Sequence, residues 1–97
     1  MGAPTATKPQ LLFFYSSRDG RARRVEAYLA QVLQRRRNHE TFAVRRIDVV
    51  SRPDLAERFG VERGPALIVV QERTLKARLQ RPTSSKAIAQ LLEPWLR

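Results

Sequence analysis

The residues of this chain that could do chemistry gather in one stretch, Phe13-Phe14-Tyr15-Ser16-Ser17-Arg18-Asp19-Gly20-Arg21-Ala22-Arg23-Arg24. An apolar run enters a short polar turn, and the turn enters an amphipathic segment. Such a junction puts backbone N–H groups and a few side chains at the start of a helix. Ser16 and Ser17 could be nucleophiles, but no base is identifiable for them. As turn residues they would hydrogen-bond the loop. Asp19 could be an acid, but no second carboxylate or histidine lies close in sequence. It suits a helix N-cap better.

Composition narrows the chemistry further. There is no cysteine, so disulfides, thiolate nucleophiles and thiolate metal sites are excluded. A single histidine, His39, argues against a His-based metal site or a catalytic triad. No catalytic residue, metal or cofactor is therefore expected. The net charge is +10, from sixteen Arg and three Lys against nine acids. Such a charge suits an anionic partner, nucleic acid included. A GC-rich genome would leave the same arginines on a solvated surface, and charge alone does not decide between them.

The elements that must position these residues are legible in order. With 97 residues, the chain has room for one core. No apolar run exceeds five residues, too short to cross a bilayer. Met1 to Gln10 lacks a signal-peptide core and reads as a leader, so a cytoplasmic location is expected. Residues 11–97 form the expected domain. Leu11 to Tyr15 is apolar on both faces, as in a central strand. Ala22, Val25, Tyr28, Leu29, Val32 and Leu33 make the apolar stripe of a helix. Arg35, Arg36 and Arg37 close that helix and Asn38 stops it.

Phe42 to Val50 reads as a strand nearer the sheet edge, interrupted by Arg45 and Arg46. Ser51 can cap a short helix over Leu55 to Phe59, which Gly60 ends. Gly64-Pro65 is a turn. Ala66 to Val70 and Leu75 to Leu79 are strands joined as a hairpin across Glu72-Arg73. Pro82 to Ser85 opens a last helix with Ile88, Leu91, Leu92, Trp95 and Leu96 on its buried face, and Pro94 disturbs its end. All seven aromatics fit core positions.

The resulting order, β-α-β-α-β-β-α, and the residues at two turns resemble the thioredoxin family. Phe14 to Arg23 resembles the family's F-W-A-x-W-C-G-P-C-K. Val44 to Val49 is similar to its second core strand. Arg52-Pro53-Asp54-Leu55-Ala56-Glu57-Arg58-Phe59-Gly60-Val61 resembles N-P-x-x-A-x-x-Y-G-I. Gly64-Pro65-Ala66-Leu67 sits where the family has I-P-T-L, whose proline is cis. The leader is too short for the family's usual first strand and helix. The resemblance thus implies a minimal α/β core, a mixed four-stranded sheet with helices on both faces. A shorter stretch, Ile47 to Glu57, is similar to the KaiB clock-protein family, which has a cysteine-free thioredoxin-like state and works by binding proteins.

The departures matter as much. Asp19 and Ala22 stand at the two thiol positions, Phe13 at the buried acid, Arg18 at the active-site tryptophan and Arg46 at a nearby lysine. Neither Asp19 nor Ala22 carries the sulfur that attacks a disulfide. What the resemblance leaves is a groove between the first helix and the proline, where an extended peptide pairs with the backbone before the proline. Arg18, Asp19, Gly20, Arg21, Arg63, Gly64 and Pro65 would frame it, and its guanidiniums would favour carboxylate or phosphate. A binding module for an acidic or extended protein segment is the first reading. A nucleic-acid- or ribosome-associated protein is the alternative, its basic surface comprising Arg23, Arg24, Arg35, Arg36, Arg37, Arg45 and Arg46. A continuous stripe joining Arg21 and Arg24 to Arg35 through Arg37 would favour the alternative.

Overall fold

A computed structural model describes residues 8–35, 40–61 and 65–96. Among these residues seven elements follow one another: β1 Gln10–Tyr15, α1 Arg21–Gln34, β2 Ala43–Asp48, α2 Pro53–Arg58, β3 Ala66–Gln71, β4 Thr74–Gln80 and α3 Ser85–Leu92. This is the expected order. The strands form one sheet in the order β2-β1-β3-β4. β1 runs parallel to β2, as a helical crossover between them requires, and antiparallel to β3. β3 and β4 are an antiparallel hairpin.

The all-apolar runs become the two central strands. Leu11 to Phe14 and Ala66 to Val69 are buried because both of their faces are covered. Alternation splits the core in two. Leu11, Phe13, Leu67 and Val69 meet Val25, Leu29, Val32 and Leu33 of α1 and Ile88 and Leu92 of α3. Leu12, Phe14, Ala66 and Ile68 meet Ala56 and Val61 in and after α2. Phe59 tilts against Phe14 at 5.7 Å. α1 and α3 thus share one face, and among the described elements the six-residue α2 stands alone on the other.

Helix ends depart from the expected caps. Gly20, not Asp19, is the N-cap of α1 and makes no side-chain cap bond. The Asp19 carboxylate instead accepts the Arg21 N–H at 2.9 Å, doing a cap's work from one residue earlier. Arg52, not Ser51, precedes α2. The Ser51 hydroxyl donates to Asp48, whose other oxygen accepts the N–H groups of Val50 and Ser17. That carboxylate is already placed to organise the turn, so Ser51 braces it rather than capping. α3 begins as expected, with the Ser84 hydroxyl accepting the Ala87 N–H at 3.1 Å. It ends at Leu92, two residues ahead of Pro94.

Gly60 ends α2 with φ of 69°, a conformation that glycine adopts without steric cost. The Arg78 guanidinium donates to its carbonyl, and a β-carbon there would lie 3.2 Å from the Arg78 Nη1. No described helix is long and apolar enough to cross a membrane.

Candidate functional site

The start of α1, the start of β3 and the end of β4 converge on one groove of about 320 Å³. Its floor is Val25 and Tyr28 of α1 with Pro65 and Pro82. Both prolines are buried, and Tyr28 is half-buried against the main core. Arg21, Arg24 and Arg81 stand at its rim, all exposed. The Arg81 N–H donates to the Pro65 carbonyl at 2.8 Å, which ties the two sides of the floor together.

The three guanidiniums are not equivalent. The Nε of Arg21 lies 3.9 Å from the Asp19 carboxylate, so its charge is partly answered. Arg24 and Arg81 make no ion pair with any described residue. Arg81 has φ of 53°, left-handed backbone that a side chain with a β-carbon occupies at a cost of about 1 kcal/mol or more. Such conformations persist where the surroundings impose them, and they concentrate at ligand clamps. The groove can therefore hold an apolar or proline-like surface on its floor and carboxylate or phosphate at its rim.

Of the expected frame, the structure brings Arg21 and Pro65 to this groove. Arg18, Asp19 and Gly20 form the turn that leads into it, with the Arg18 N–H on the Ser16 hydroxyl. Arg63 and Gly64 lie outside the described residues, as do the Gly64-Pro65 bond and the expectation of its cis form. Arg24, assigned from sequence to the general basic surface, belongs to the groove rim. Arg81 was not foreseen. Its arrival depends on the register of β4 against β3, and nothing in its own neighbourhood signals that.

The remaining basic residues divide. Arg46 is engaged, 3.0 Å from the Glu26 carboxylate and 5.5 Å over the Tyr15 ring. Arg45 faces the opposite side of the sheet. Arg35 lines a separate depression with Lys86, further along the seam between α1 and α3. Arg23 is exposed on α1, while Arg36, Arg37 and His39 lie outside the described residues. Between Arg24 and Arg35 the seam carries Tyr28 and Gln31, both neutral.

Among the described residues no three His, Cys, Asp or Glu side chains gather as metal ligands. Ala22, at an expected thiol position, packs half-buried against the core. Phe13, at the expected acid position, is 1% exposed.

No protein-family model matches the chain, and no curated protein matches it in sequence. Solved structures do match it. A thioredoxin from Halobacterium salinarum superposes with a TM-score of 0.76 at 21% identity, covering 94% of this chain and 77% of that one. The germline-specific thioredoxin Deadhead of Drosophila melanogaster gives 0.77 at 18%, covering 92% and 82%. Thioredoxin-2, described as a component of malaria parasite protein secretion machinery, gives 0.76 at 17%, covering 95% and 86%. The fold is thioredoxin-like. The chain carries that fold without any cysteine.

Proposed function

We propose that this cysteine-free thioredoxin-like chain is a redox-inactive protein-binding module, and that it holds an extended acidic segment in the proline groove. One observation carries the reading: Arg24 and Arg81 make no ion pair with a described residue and stand above a floor of two buried prolines, Val25 and Tyr28. The floor offers apolar contact to a flat, extended chain. The rim offers guanidiniums that bind carboxylates in bidentate geometry. With no sulfur in the site, the groove binds and releases without covalent chemistry.

The test is fluorescence anisotropy with a labelled peptide of alternating Glu and Pro, which stays extended. The full chain is expected to bind it saturably, and Arg24→Glu with Arg81→Glu to weaken it about tenfold or more. Unchanged affinity in that double variant overturns the proposal.

A second reading has its own observation. Arg35 and Lys86 edge a further depression along the same seam. On α1, Arg24 and Arg35 are about 16 Å apart. A single nucleic-acid strand laid along the seam would reach both. Its binding would be indifferent to sequence and fall steeply with salt. The neutral stretch at Tyr28 and Gln31 is why the peptide reading is preferred.

A further inference from the structure

The two faces of the sheet are unequally covered. α1 and α3 lie side by side on one face. Among the described residues the other carries only α2, about 9 Å long, above Phe14, Ala66 and Ile68. The neighbouring row of that face, Gln10, Val70 and Leu75, has no described helix above it. Leu75 is 44% exposed.

A bulge accounts for Leu75. Val69 pairs with Ala77, but Val70 pairs with Leu75, so the register shifts by one residue at Lys76. Without the shift Lys76 would oppose Val70, and Leu75 would turn to the other face.

The result is a groove of about 820 Å³ with Leu12, Val70 and Leu75 in its floor and Leu55 and Phe59 along its α2 wall. Arg45, Arg58 and Arg73 also line it, and none makes an ion pair with a described residue. Arg52 is committed to Asp54 at 3.1 Å. Asp48, the one acid among the described lining residues, is occupied by the N–H groups of Ser17 and Val50. Arg73 is held in left-handed backbone, φ 66°, next to Glu72 at φ 55°. Two-residue hairpin turns of this kind favour Asn-Gly, so this turn presents an arginine where glycine would be easier.

We infer that this groove docks an acidic amphipathic helix from a partner protein. The space beside α2 is the place where a second helix would complete the layer, as α3 does beside α1. Its floor needs an apolar face, which a nucleic-acid backbone does not offer. Its rim needs carboxylates. A second copy of this chain would bring the same arginines against themselves and be repelled. The chain's own residues before Lys8 hold no carboxylate. An amphipathic helix with leucines at i, i+3, i+4 and i+7 flanked by glutamates answers both floor and rim.

The experiment uses the full ¹⁵N-labelled chain and a synthetic sixteen-residue helix of that Leu/Glu pattern. A scrambled peptide of the same composition and a single-stranded oligonucleotide are the controls. Saturable shifts are expected at the amides of Leu12, Phe59, Val70 and Leu75, and none with the scrambled peptide. Arg45→Glu with Arg73→Glu should weaken binding about tenfold or more. Glu72→Asn with Arg73→Gly should melt no lower than the parent and still bind several-fold more weakly, which separates docking from folding. The extended Glu-Pro peptide should be unaffected by either variant, so failure here is distinct from failure at the proline groove. The inference is overturned if no saturation occurs up to roughly 1 mM peptide, or if the shifts fall at Tyr28 and Arg81. Equal competition by the oligonucleotide, or groove shifts that follow chain concentration alone, overturn it as well.

Discussion

The proline groove and the sheet groove lie on different parts of the molecule and differ in floor and width. The first is narrow, about 320 Å³, and floored by two prolines, a valine and a tyrosine. The second is broad, about 820 Å³, with an aliphatic floor at the end of a sheet face. Their rims are alike. Each includes arginines that make no ion pair with a described residue, Arg24 and Arg81 in the first and Arg45, Arg58 and Arg73 in the second. In each, one of these sits in left-handed backbone: Arg81 in the first and Arg73 in the second. Glycine at either position would relieve steric cost but lose the charge. The likeness of the rims says that charge is presented at the expense of local stability. The difference of the floors underlies the two proposals, an extended chain for the first groove and a helix for the second.

The largest expected effect breaks the comparison at its base, the unequal cover of the two faces. Phe13 is buried under α1 and α3, and Phe13→Ala should cost about 3–5 kcal/mol. Leu55 is half-buried on the thinly covered face, and Leu55→Ala should cost about half as much or less. Urea midpoints measure both. An equal loss would mean that α2 carries as much of the core as the helix pair.

Next is Gly60, which closes α2 beside the sheet groove. Gly60→Ala forces a β-carbon to φ of 69° and against the Arg78 guanidinium. A loss of about 1–2 kcal/mol is expected in thermal melts.

Arg73→Gly and Arg81→Gly should move stability the other way. Relief of left-handed backbone is worth about 1–2 kcal/mol, and the added freedom of glycine in the unfolded chain returns about 0.5–1 kcal/mol. A net gain of about 0.5–1 kcal/mol in each variant is therefore expected. A loss in either would show that the arginine side chain also holds its turn together.

The smallest effect concerns acid. Partial desolvation pushes the Asp48 carboxyl up, but the N–H groups of Val50 and Ser17, with the Ser17 and Ser51 hydroxyls, together hold it below its ordinary value of 3.8. A carboxyl lowered in the folded state stabilises above its unfolded value and loses that contribution as pH falls through the folded one. Asp48→Asn should therefore flatten the decline in melting temperature below about pH 4. An unchanged acid limb would place the titration elsewhere.

Much of the fold is legible in local pattern. The apolar runs Leu11 to Tyr15 and Ala66 to Val70, the stripe of α1, the stop at Gly60 and the turn at Glu72-Arg73 each follow from residues near one another. The grooves are less legible because they depend on register and on pairings between elements. Leu75 reaches the sheet groove through a bulge that its own alternation does not announce. Arg81 reaches the proline groove through its bond to Pro65, sixteen residues away. Arg45 and Arg46 are adjacent in sequence and both border the sheet groove, but strand alternation turns them to opposite faces, and only Arg46 is paired, with Glu26. Tyr28 and Phe59 fit core positions, yet each keeps one side for a groove wall.

The central claim is that these are two separate arginine-edged sites with ligands of different shape. Calorimetric titration of Arg81→Gly and Arg73→Gly against both peptides, extended Glu-Pro and helical Leu/Glu, tests it most directly. Arg81→Gly should lose affinity several-fold for the extended peptide alone, and Arg73→Gly for the helical peptide alone. Losses of equal size for both peptides in both variants, or no loss in any pairing, would contradict it.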